Sequence, residues 1–183
     1  RIHFQPVARF IGFLLMMLGG LMLTGLPFSF YFDSGDHLPL LYSGLINIGF
    51  GVPLWFFTPR DTVGIKKREG YLIVALGWFS MVTFGSLPYL FSEVISGPAD
   101  AFFETVSGMT TTGASVLDDI EQTPEGILYW RSLTQWIGGM GIIVLTVAIF
   151  PLLGIGGIDL FVAESPGPTS DKLHPRIRET AKR

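Results

Sequence analysis

The sequence predicts an all-α membrane protein: four transmembrane helices plus one re-entrant pore helix and its loop, a helix pair followed by one helix–pore-loop–helix repeat. Three observations predict it. Charged residues are 15% of the 183, where a soluble domain carries roughly 25%. Mean hydropathy is +0.50, and the charge is clustered, so long uncharged runs remain. Between two of those runs lies DAFFETVSGMTTTGAS, residues 100–115, too short to span a bilayer and too polar at one end.

A hydrocarbon core of roughly 30 Å needs about 20 helical residues. Four uncharged runs meet this length: residues 10–32, 38–59, 70–92 and 132–158. The first follows Arg1 and Arg9, as the apolar part of a signal peptide would. It is longer than such a core, and no small-residue cleavage site follows Phe32, so it reads as a transmembrane helix. Residue 1 is Arg rather than Met, and the chain ends within a nascent basic helix, so a fragment of a longer protein is expected.

Lys and Arg set the orientation. Arg1 and Arg9 precede the first run. Arg60, Lys66, Lys67 and Arg68 lie between the second and third. Lys172, Arg176, Arg178, Lys182 and Arg183 lie in the tail. Only Arg131 falls on the other side, in a connection holding Glu93, Asp100, Glu104, Asp118, Asp119, Glu121 and Glu125. Both termini are therefore expected in the cytoplasm, and the acidic connection outside. A full crossing by residues 100–115 would break this parity, so that segment must enter and leave on the outer side. Acidic residues at an outer mouth concentrate cations; they are also simply what external loops carry.

The first two runs hold Gly19, Gly20, Gly25, Gly44, Gly49 and Gly51 and no ionisable residue. Small residues let helices approach in lipid, so this hairpin reads as packing, with a kink expected at Pro53. Pro98 suits a helix start, with Asp100 in the first turn, where the dipole favours a carboxylate. Ala101, Phe102, Thr105, Val106 and Met109 form a helical stripe. Its C-terminal end would point partial negative charge toward a cation. Gly113 permits positive φ, letting successive carbonyls turn toward one axis, as in a cation filter. The plainer alternative is a Thr-rich turn at the interface.

Glu104 is the one acid inside the predicted pore helix, and a buried acid needs a partner. Arg131 is the one cation on that side. The two pair, or both bond loop backbone, or both are solvated interfacial charges. In the last run, Gly138, Gly139 and Gly141 permit close packing on the pore loop. Pro151 ends or kinks the run, and residues 154–157 read as a flexible exit.

Enzyme classes find little support. Cysteine is absent, which removes thiol catalysis and thiolate metal sites. Gly113, Ala114 and Ser115 resemble a nucleophile turn, but His3, His37 and His174 lie outside the runs, so no base is in reach. Asp159 has no second acid within a run. No nucleotide-binding Gly loop is present, no cofactor is expected in this chain, and a nucleic-acid partner is not expected. A structural or assembly subunit without its own pore would explain the spans but not an outward-facing Thr-Thr-Thr-Gly.

DAFFE at 100–104, TTTGA at 110–114, WRS at 130–132 and QWIGGMGI at 135–142 together resemble the TrkH family, the membrane subunits of bacterial K+ uptake systems. GIGG at 154–157 and PGP at 166–168 also fit. The likeness runs from about residue 64 onward and is weaker before it. It implies four helix–pore-loop–helix repeats around a pseudo-fourfold pore, with an extra helix pair in front. Here residues 1–64 would be that hairpin, 65–160 the first repeat, and 161–183 a cytoplasmic linker entering the next repeat. By motif match Thr111, Thr112, Gly113 and Ala114 would be the filter segment, with K+ at Thr111, Thr112 and Gly113. Glu104 and Arg131 would support the filter. The resemblance further implies K+ uptake across the inner membrane, a homodimer, and a cytosolic TrkA-type nucleotide-binding regulator. Channel-like passage and H+- or Na+-coupled symport both stay open. One of four repeats is present, the family's intramembrane gating loop lies in a later one, and the filter has one Gly where TVGYG has two. Fewer well-formed carbonyl rings are expected in consequence.

Overall fold

A computed structural model describes residues 4–59, 67–117 and 119–149. These form α1 (Phe4–Leu23), α2 (Leu26–Phe32), α3 (His37–Phe56), α4 (Lys67–Gly85), α5 (Leu87–Phe91), α6 (Pro98–Met109) and α7 (Glu125–Ile149), with no strand among the described residues. Three segments are long and apolar enough to cross a membrane: Phe4–Phe32, His37–Phe56 and Glu69–Phe91. The fourth run expected, 132–158, is entered by α7 and continues outside the described residues, as do Pro151, the 154–157 glycines and the expected linker 161–183.

Two of the uncharged runs are not single helices. Thr24 and Gly25 separate α1 from α2, and Pro27 stands at the start of α2. Ser86 separates α4 from α5, with Pro88 just beyond. Pro88 has no N–H to give the Phe84 carbonyl four residues earlier. Asn47, buried in α3, supplies a donor instead: its Nδ2 lies 3.4 Å from Phe84 O and 2.9 Å from Ser43 O. The next carbonyl, Gly85 O, accepts the indole N–H of Trp130 at 3.0 Å. The break in this span is thus served by donors from two other helices, which lipid could not provide. Pro53 lies inside α3, where a kink was expected, and the helix runs on to Phe56.

α1 and α3 lie against each other through facing glycines, as the composition suggested. A Cβ on Gly19 would come within 2.6 Å of the Gly44 carbonyl, and one on Gly51 within 2.7 Å of the Gly12 carbonyl. At Gly20 and Gly49 a Cβ would meet nothing within 4 Å, and at Gly25 it would lie 3.2 Å from Leu40, Met22 and Tyr129 atoms. Arg9 ties the start of α1 to the end of α3, donating to Thr58 O at 3.1 Å and lying over the Trp55 ring at 4.3 Å.

The core joins the hairpin to the helices that follow. Leu18 and Met22 of α1, Leu40 of α3, Tyr89 of α5, Met109 of α6 and Trp130 of α7 are all fully buried in one cluster. Residues through Gly139 form this compact unit. A second begins at Met140, and its described part is the last turns of α7.

Candidate functional site

α6 is a 12-residue helix that opens on Pro98 after Gly97 and buries Ala101, Glu104, Thr105, Ser107, Gly108 and Met109. At about 1.5 Å per residue it cannot cross a bilayer. It ends at Thr110 in a two-bond cap: Thr111 N–H donates to Gly108 O at 2.9 Å and Thr112 N–H to Ser107 O at 3.0 Å. This is the Schellman pattern, whose left-handed position glycine usually fills. Here Thr111 fills it, at φ 57. A β-branched residue there costs on the order of 1–3 kcal/mol and marks a backbone held by its surroundings. Gly113 turns left-handed as well, at φ 77.

Past the cap the chain has no regular structure and is exposed. Among the described residues no hydrogen bond is donated to the carbonyls of Thr111, Thr112 or Gly113. The Ala114 carbonyl differs, because it accepts the Ser107 hydroxyl. The four residues expected to act together therefore divide: three have free carbonyls, and the fourth is tied back to α6. Thr110 and Thr112 share a hydroxyl contact at 2.8 Å, so their side chains serve each other.

Below this segment sits Glu104, 1% exposed. Its Oε1 accepts Arg131 Nε at 2.6 Å. Its Oε2 accepts the Val116 N–H at 2.9 Å, and the Ser115 hydroxyl lies 3.1 Å from both oxygens. Of the alternatives open from the sequence, the pairing of Glu104 with Arg131 holds, and the bonding of loop backbone holds for Glu104 alone. The solvated reading fails for Glu104. One carboxylate so joins α6, α7 and the far end of the loop, with charge-assisted bonds of the stronger kind.

α7 lies close enough for this because Gly138 has no side chain: a Cβ there would overlap the Met109 carbonyl, at the end of α6. Thr134 fills the space beside Gly108. Gly139 is less pressed, its nearest neighbour being Thr111 Cγ2 at 3.8 Å.

A polar cavity of about 380 Å³ adjoins the far end of the loop, lined by Asp100, Val116, Leu117, Asp119 and Thr123 among others. Asp119 caps its own turn, accepting the N–H groups of Glu121 and Gln122. Asp118 is outside the described residues. Among the described residues there is no group of three or more His, Cys, Asp or Glu that could hold a metal ion.

Sequence reasoning missed Ser107, whose carbonyl and hydroxyl together take three loop bonds. It also missed Asp36. That carboxylate does not cap its own helix α3; it accepts the Ile127 N–H in the first turn of α7 at 2.8 Å.

Comparison with known proteins agrees with the motif resemblance. The family model for TrkH, described as a cation transport protein, matches residues 40–183. The Trk system potassium uptake protein TrkH of Salmonella typhimurium is 45% identical over 183 residues, covering 98% of this chain and 38% of that protein. The protein of the same description from Escherichia coli K12 is 42% identical over 182 residues, with the same shares covered. The crystal structure of the potassium transporter TrkH from Vibrio parahaemolyticus superposes with a TM-score of 0.81 at 37% identity, over 99% of this chain and 36% of that one. The chain thus spans about two-fifths of the length of these relatives. By its matched residues and its helical fold, the chain belongs to the TrkH family, whose members are cation transporters and not enzymes.

Proposed function

We propose that this chain is the N-terminal part of a Trk-type K+ uptake protein of the inner membrane, and that the carbonyls of Thr111, Thr112 and Gly113 are its contribution to the K+ filter. The observation that carries this is the run of carbonyls without donors among the described residues, at the end of a short helix and beside a bend built from two left-handed residues. Backbone oxygen left unbonded at membrane depth needs water or an ion. Dehydrated K+ is a fitting partner for such oxygens. Ala114 closes the segment through Ser107 instead of binding K+ directly.

In this reading α6 enters and leaves on the outer side as a re-entrant pore helix, and Glu104 with Arg131 holds the filter in register. Residues 1–64 are the leading hairpin and 65–160 the first of four repeats, with four full spans and both termini cytoplasmic. The remaining repeats of the parent chain complete the pore. A homodimer and a cytosolic TrkA-type nucleotide-binding regulator are the proposed assembly. The names of the relatives support K+ as the transported ion.

The test is Rb+ uptake by the full-length protein in cells without their own K+ uptake, comparing wild type with Gly113→Ser. A side chain at φ 77 disfavours the bend, so uptake should fall about tenfold, or Na+ should begin to compete, with protein still in the membrane. Unchanged uptake and selectivity would overturn the filter reading and favour a structural subunit.

A further inference from the structure

The N-terminal hairpin reads from sequence as packing alone. Its polar contacts say more. α7 carries Arg131, and the height of α7 decides where Arg131 holds Glu104. Three contacts fix the start of α7 to the hairpin. Asp36, 3% exposed, accepts the Ile127 N–H at 2.8 Å. Tyr129 shares a hydroxyl contact with Thr24 at 3.0 Å, at the α1–α2 break. The Tyr129 ring stacks on Phe28 of α2 with centroids 4.3 Å apart.

The Asp36 contact is built. Ser34 donates to its other oxygen at 2.6 Å, so both carboxylate oxygens are engaged. Gly126 leaves the room: a Cβ there would lie 2.6 Å from one Asp36 oxygen and 2.8 Å from the other. A buried carboxylate at the positive end of a helix is a strong and directional hold. From Ile127 one helical turn leads to Arg131, then Glu104, then Ser115 and Val116 beside the carbonyls of the filter segment.

We infer that Asp36 is a positioning residue for ion selection: through Ile127 it sets the register of α7, and with it the place of the Arg131–Glu104 pair under the filter loop. The leading hairpin is then a working part of the pore frame. This rests on the filter reading proposed above.

The experiment measures Rb+ uptake and its inhibition by Na+ for the full-length protein, normalised to protein in the membrane. It compares wild type, Asp36→Ala, Asp36→Asn and Gly113→Ser. Asp36→Ala should raise Na+ competition by about fivefold, a scale typical of coupling changes away from the ligand. Asp36→Asn keeps an acceptor for Ile127 and should restore most of the discrimination. If Asp36→Ala does not reach the membrane, Gly126→Ala, which displaces the carboxylate, is read in its place. A loss of protein in the membrane with an unchanged Na+ to Rb+ ratio in the protein that remains would overturn the inference. So would an unchanged ratio at full abundance while Gly113→Ser alters it; the filter reading would then stand alone. No change with Gly113→Ser would remove both.

Discussion

The hydroxyl of Ser107 donates to the carbonyl of Ala114, seven residues further on. The carbonyl of Ser107 meanwhile accepts the N–H groups of Thr112 and Gly113, at 3.0 and 3.4 Å. A single residue in the last turn of α6 so holds both the middle and the end of the loop. Removing the hydroxyl alone, in Ser107→Ala, leaves the helix cap intact and frees the Ala114 carbonyl. One hydrogen bond of this kind is worth about 1 kcal/mol. Rb+ uptake should fall roughly fivefold or Na+ competition rise by as much, and Ser107→Thr should stay near wild type. Uptake assays at matched membrane abundance check this.

Glu104 and Arg131 invite a charge-swap test, and the geometry predicts that it fails. Arg131 is only one of the donors facing Glu104; the Val116 N–H and the Ser115 hydroxyl are others. A guanidinium at position 104 would face donors with donors. Each single change, Glu104→Gln or Arg131→Gln, leaves a charge without its partner and should cost about 3–5 kcal/mol. The double swap should regain little of it. Thermal unfolding of the purified protein and Rb+ uptake would both show this, and full restoration by the swap would mean that the loop contacts carry no weight.

Trp130→Phe keeps the aromatic packing and deletes the donor to Gly85 O. That carbonyl sits in the break between α4 and α5, where the helix itself offers no replacement. An unsatisfied buried carbonyl costs about 1–3 kcal/mol, so the melting temperature should drop by several degrees. Gly49→Ala, whose Cβ meets nothing within 4 Å, should leave it unchanged.

Much of this arrangement is legible in the sequence, for reasons that differ by residue. The uncharged runs announce apolar helices because lipid tolerates little else. Pro98 fixes the start of α6 through its ring, and Gly113 marks a left-handed bend through its missing side chain. Glu104 and Arg131 could be matched because Arg131 was the one cation in a connection of acids and Glu104 the acid set past the first turn of the predicted pore helix. The breaks at Thr24–Gly25 and at Ser86 were not legible, since hydropathy does not register backbone continuity. The donors that make the second break tolerable, Asn47 and Trp130, lie far away in sequence. Asp36 went unmarked because its partner is a backbone N–H, which has no letter of its own. The left-handed turn at Thr111 was hidden for the opposite reason: a β-branched side chain argues against the very conformation it holds.

Glu104 grips the chain twice, once as part of α6 and once at Val116. The intervening segment is therefore a closed circuit whose length is set by its own chemistry. A residue inserted or deleted between 105 and 115 would carry the carboxylate out of line with the amide it must meet. Past Leu117 the circuit is already complete, and the connection to α7 is free to lengthen. Change in chain length among proteins built this way should collect there and stop abruptly at the carboxylate's far contact.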